Sequence, residues 1–178
     1  MNQRLAIALI ALATLTRLLP HPHNFTPLGA IALFGAAYFG RQYLMLLVPF
    51  IALFLSDLFI NNVIYAEMYQ GQFVWITSGW IYLSFALVMI SGYSWLAQKI
   101  SVVRILGASL SASMVFFLVS NFSVWVESGV YAKTMAGLMA CYTAGIPFFG
   151  NTLMGDLVFS GLLFGAYAWL GKKQEIIA

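Results

Sequence analysis

The chain has 178 residues, 62% of them hydrophobic and only 7% charged, with a mean hydropathy of +0.93. Soluble domains carry roughly a quarter of charged residues, so this chain lacks the material for a wetted surface of normal size, and a soluble globular class is excluded. The net charge of +3 and pI near 9.1 come from Lys and Arg scattered between apolar runs, which form no patch for nucleic acid.

The apolar runs predict an all-α fold: a polytopic membrane bundle of about six transmembrane helices plus one re-entrant or surface helix, in a single transmembrane domain over residues 1–178. The first run covers residues 4–19 and stops at Pro20-His21-Pro22. Arg4 ahead of an apolar stretch, with Ala11-Leu12-Ala13 behind it, imitates a signal peptide. That stretch is short and Arg17 follows it, so residues 1–20 are read as mature structure. Thr26 then reads as an N-cap with Pro27 at the first helical position. The second helix runs to Gly40, Arg41-Gln42 forms a tight turn, and the third helix covers 43–64. A polar loop at 66–73 leads to a fourth helix over 74–97, and a basic loop at 98–104 to a fifth over 105–126. The stretch 131–150 is too short for the roughly 20 residues of a full span and contains Gly145-Ile146-Pro147, so it reads as the re-entrant or surface element. The final helix, 152–170, ends at Gly171 as a C-cap followed by Lys172-Lys173.

Charge placement supports six crossings. With both termini in the cytoplasm, Arg4, Arg41, Lys99, Arg104, Lys172 and Lys173 all lie inside, as the positive-inside rule asks. The expected location is the bacterial cytoplasmic membrane. Cys141 is the one cysteine, so an internal disulfide is excluded. It reads as a buried apolar residue or a soft ligand.

The polar clusters then gather at the outer side. His21, His23 and Asn24 lie in the first loop, and Asp57, Asn61 and Tyr65 at the end of the third run. Asn121 and Trp125 end the fifth helix, while Asn151 and Asp156 open the last. Amides, imidazoles and aromatics around an apolar cavity are what binding a small molecule requires, so these residues form the expected substrate site. Asp57 and Asp156 are the sharpest of them, because a carboxylate in hydrocarbon needs a partner, water or a ligand. Arg17 is an ion-pair partner for either, and capping of a neighbouring helix is a further structural role. Two imidazoles fall short of the three or four ligands of most metal sites, so no metal and no cofactor are expected. The sequence contains no Gly-rich phosphate loop, HExxH or G-x-S-x-G, and the expectation is not an enzyme. On the second helix, Ala32, Ala36 and Gly40 put small residues on one face, suited to helix pairing within the bundle or with a partner subunit.

Residues 17–40, RLLPHPHNFTPLGAIALFGAAYFG, together with Ser120-Asn121-Phe122-Ser123-Val124-Trp125 and 145–156, resemble a family of uncharacterised bacterial membrane proteins along nearly the whole chain. At a greater distance, residues 27–57 resemble the substrate-binding S-components of energy-coupling-factor (ECF) vitamin transporters. That resemblance implies six helices, both ends in the cytoplasm and a vitamin site formed by outward-facing loops. It also implies pairing with a transmembrane coupling subunit through Ala32 and Ala36, with ATPases supplying the energy. A corrinoid-handling branch of that group relies on a cysteine near the third and fourth helices. This chain has no cysteine there, so His21 or His23 would have to replace it. The functional expectation is a membrane subunit that captures a vitamin-like micronutrient, with a small ion-coupled carrier using Asp57 and Asp156, a membrane-embedded enzyme and a structural subunit as alternatives.

Overall fold

The apolar runs fold into six helices in the computed structural model, which describes residues 2–40 and 43–177, the last six by backbone alone. They are α1 (Gln3–Thr16), α2 (Leu28–Phe39), α3 (Leu44–Phe59), α4 (Gly79–Leu96), α5 (Val102–Glu127) and α6 (Met135–Ile177), and no strand occurs among the described residues. Polar side chains start three of them. Asn2 Oδ1 accepts from the Leu5 amide at 3.1 Å, and Ser78 and Ser101 cap α4 and α5 in the same way, satisfying amides that the first turn leaves without a partner.

The outer faces of the helices are apolar, and the interior combines an apolar core with a few buried polar side chains. On α5, Leu106, Leu110, Met114, Leu118 and Phe122 recur every four residues and face outwards, while Ala108, Ser109, Ala112 and Ser113 are buried. The small inner face lets α5 approach α4 and α6 closely. At the centre stands α2, which packs against all five other helices and has no large exposed side chain. Gly92 of α4 accommodates it: a Cβ there would lie 2.7 Å from Leu33 Cδ2. Near the C-terminal end of α2, Tyr38 packs on Tyr167 of α6 with ring centroids 4.0 Å apart, and the Asn2 amide donates to the Tyr167 hydroxyl at 3.0 Å.

Several expectations are corrected. Residues 131–150 form no separate re-entrant or surface element, because α6 continues through Gly145, Pro147 and Gly171 without a break. Pro147 removes one helical hydrogen bond, but in apolar surroundings a true break would strand several backbone groups, and continuing the helix is the cheaper solution. Gly171 is therefore interior to α6 and not its cap. The helix expected from residue 74 begins at Gly79, after a longer loop. Among the described residues four helices are long and apolar enough to cross a membrane, fewer than the six expected. α1 and α2, of 14 and 12 residues, rise about 21 and 18 Å against roughly 30 Å of hydrocarbon. The Arg41-Gln42 turn lies outside the described residues.

α3 ends in a single π turn, Ile60–Ile64, closed by the Tyr65 amide donating to Ile60 O at 2.8 Å. Such turns re-aim side chains, and here it presents Asn61 and Asn62 to the 65–78 loop. Asn62 holds that loop at both ends of its amide: Oδ1 accepts from the Val74 amide at 2.7 Å and Nδ2 donates to Val74 O at 2.9 Å.

Candidate functional site

The segment between α1 and α2 folds back into the bundle. Pro27 is fully buried, Phe25 packs on Phe159 at 5.7 Å, and Asn151 Nδ2 donates to His23 O at 3.0 Å. Gly155 of α6 permits the approach, since a Cβ there would lie 3.0 Å from Thr26 N and O. Irregular backbone at such depth is tolerated where it packs on protein or lines a cavity.

Asp156, halfway along α6 and buried, meets the start of α2. Its carboxylate accepts from Ser113 Oγ at 2.7 Å and from the backbone amides of Gly29 and Ala30. These are the amides a local N-cap side chain would satisfy, so α6 caps α2 in place of Thr26, and Pro27 occupies the cap position without a side-chain bond. An acidic group also suits the partial positive charge of the helix start. Only glycine fits at 29, because a Cβ there would overlap the carboxylate.

Arg17 sits just past α1 and pairs with Asp57 of α3, with Nη2 to Oδ1 at 2.8 Å and both side chains about nine-tenths buried. Its Nη1 donates to Ser56 Oγ, and Tyr82 Oη of α4 donates to Asp57 Oδ2 at 3.4 Å. The Nε–H of Arg17 is left without a partner, the only such buried side-chain atom among the described residues. An unmet buried donor costs about 1–3 kcal/mol, more when charged.

Two adjoining cavities lie over these groups. An inner pocket of about 240 Å³ has Arg17, Asp57 and Asp156 in its walls, with Asn61, Thr77 and Phe85 among the rest. A wide cavity of about 870 Å³ opens between α5 and α6 towards the loop that joins them, lined by Asn121, Tyr131, Cys141 and Phe149 among others. Asn24, Ile81, Phe116 and Thr152 belong to both walls. Asn24 has a φ of +64°, a left-handed conformation that asparagine tolerates better than most residues.

The family model of a set of related sequences matches residues 1–177. The chain belongs to that family, DUF6580, a family of unknown function. No curated protein and no solved structure matches the chain, and nothing in these comparisons connects it with ECF S-components.

Within this DUF6580 chain, the cavities bring together His23, Asn24, Asp57, Asn61, Asn121 and Asp156 of the expected site. The other four stand outside both walls. His21 is exposed, with Nδ1 bonded to Leu19 O at 2.6 Å, and Tyr65 is exposed on the loop. Trp125 donates from its indole nitrogen to Ala132 O at 2.9 Å, and Asn151 is engaged by the backbone of His23. Ala32 and Ala36 are wholly buried against neighbouring helices of the same chain, so this face is not free to meet a partner subunit, and Gly40 ends α2 beside it. Cys141 is buried and its thiol contacts Asn121 O at 3.3 Å. Among the described residues no group of three or more His, Cys, Asp or Glu is placed to hold a metal ion.

Thr77 and Ser113 were not expected at the site, and Thr26 and Gly29 were not expected in its wall. One signal was available: Ser109 and Ser113 on α5 and Asp156 and Ser160 on α6 share the four-residue spacing of one helix face, and Ser109 Oγ donates to Ser160 Oγ at 3.1 Å.

Proposed function

We propose that the chain is a membrane substrate-binding subunit that captures a small, vitamin-like micronutrient in a pocket open to the outer side. The supporting observation is the pair of adjoining cavities, whose inner end is floored by Arg17, Asp57 and Asp156. Charged groups held at the depth of a membrane bundle, beside a cavity, mark binding or transport sites. In many carriers a helix that starts inside the bundle points its amides at an anionic group of the substrate; here α2 points them at Asp156 in the pocket wall.

In this reading all six helices cross. The short α1 and α2 complete their crossings through the 17–27 loop, whose end at Pro27 is buried, and α6 crosses once, so both termini lie in the cytoplasm. By chain position Arg4, Lys99, Arg104, Lys172 and Lys173 then fall at the end opposite the wide cavity. The bacterial cytoplasmic membrane is the matching location. The resemblance to S-components suggests that a coupling subunit and ATPases drive release. Any such partner would meet a surface other than the Ala32 and Ala36 face. For a corrinoid, His21 is bonded to the backbone and the Cys141 thiol contacts Asn121 O, which leaves His23, in the wall of the wide cavity, as the imidazole to serve as ligand. An ion-coupled carrier is the second reading, favoured by Asp156, which is buried without a cationic side chain bonded to it.

Purification in mild detergent followed by mass spectrometry of extracted small molecules tests the proposal. A stoichiometric ligand should accompany the parent chain and be lost from Asp57→Ala and Asn121→Ala. Retention by both variants would show that the site lies elsewhere. Reporter fusions at 66–72 and 128–134 should read external and those at 98–100 cytoplasmic, and the opposite pattern discards the topology. Uptake that collapses with the proton gradient would favour the carrier.

A further inference from the structure

We infer that the inner pocket takes a neutral head group, about the size of one ring, that presents a carbonyl or hydroxyl oxygen to Arg17. The inference rests on the substrate-binding reading and names the chemistry that this site selects.

Three observations converge on it. The first is the Arg17 Nε–H, a buried cationic donor without an acceptor, in a side chain that stands in the pocket wall. Nη1 and Nη2 are committed to Ser56 and Asp57, so Nε–H, closed to solvent in this structure, is the one guanidinium nitrogen left for an oxygen from elsewhere once the Arg17 side chain turns towards the pocket. An ammonium ligand has no acceptor to offer it and would bring a like charge beside Arg17.

The second is the charge balance. Arg17 is matched by Asp57, and Asp156 adds a further carboxylate that is already satisfied by Ser113 and the start of α2. A carboxylate ligand would become the third acid beside a single guanidinium, in surroundings where like charges repel strongly. A neutral oxygen meets the donor without that repulsion. The third is shape. The pocket holds about 240 Å³, below the roughly 300–1,000 Å³ of sites for drug-sized ligands, and Ile81, Phe85 and Phe116 give it apolar walls. A flat amide or lactam head fits these demands, with the rest of the molecule extending into the wide cavity.

The test uses the full chain in detergent, cleared of co-purified ligand, and three probes of nearly one shape: benzamide, benzoate and benzylammonium at neutral pH. Benzamide should raise the melting midpoint saturably, and the two charged probes should not at the same millimolar concentrations. Arg17→Lys keeps a positive charge for Asp57 but lacks the Nε donor, and it should weaken benzamide binding about tenfold or more. Greater stabilisation by benzoate or benzylammonium, or equal stabilisation by all three, overturns the neutral-head inference and leaves the pocket standing. Stabilisation by none overturns both the inference and the pocket as a binding site. Unchanged benzamide binding in Arg17→Lys overturns the assignment to Arg17. Should that variant fail to fold, the three-probe comparison on the parent chain decides alone.

Discussion

Asp156 on α6 lies directly against Gly29, the second residue of α2, and accepts its backbone amide. The two residues are far apart in the chain, and their contact fixes where the central helix begins. α2 is buried on all sides and has no capping side chain of its own, so its start depends on a group supplied by a neighbour.

Asp156→Ala should therefore lower stability by at least about 2 kcal/mol, the sum of a lost cap and newly unmet buried amides. Asp156→Asn, which keeps an acceptor oxygen, should lose less. Gly29→Ala should also destabilise by forcing the carboxylate away, and its combination with Asp156→Ala should cost less than the two single losses added. Thermal unfolding in detergent reads all four variants. Asp156→Ala melting with the parent would remove the capping role.

The buried Arg17–Asp57 pair makes a second case. Removing one partner leaves an uncompensated charge, so Arg17→Met or Asp57→Leu should each cost about 3–5 kcal/mol. The double variant should recover most of that loss, because the apolar pair strands no charge. A double-mutant cycle in unfolding midpoints measures the coupling, and strict additivity would contradict the pairing.

Gly92 governs how closely α4 approaches α2. A Cβ at this position lies 3.3 Å from both Ala36 Cβ and Leu33 Cα, as well as close to the Leu33 side chain. Gly92→Ala should cost about 1–3 kcal/mol by overpacking and Gly92→Leu more, while Gly150→Ala, with open space around it, should change little. Equal melting of Gly92→Ala and Gly150→Ala would show that the contact yields freely.

Asn62 is the clamp on the long loop before α4. Asn62→Ala removes both bonds to Val74 and should make residues 65–78 several-fold more sensitive to limited proteolysis, with membrane insertion unchanged. Cleavage at the parental rate would show that the loop is held by other contacts.

The all-helical class, the apolar exterior and most helix positions were legible in the sequence because hydropathy and spacing belong to single residues and their near neighbours. Caps are local too, reading amides three residues away or fewer, yet Asn2, Ser78 and Ser101 were not expected as caps, and Thr26, which was, is replaced by Asp156. Pro147 misled because its cost is learned in water, where a broken turn finds new hydrogen bonds, and an apolar environment removes that option. In the sequence Arg17 had two candidate carboxylates, and only packing chose Asp57 for it and gave Asp156 to α2. The same packing buried Ala32 and Ala36, whose small-residue face suits a partner subunit equally well. Local chemistry thus settled what the helices are. Which of them meet, and which polar groups line the cavity between them, depended on contacts between residues 40 to more than a hundred positions apart, where close packing leaves one arrangement with its buried charges satisfied.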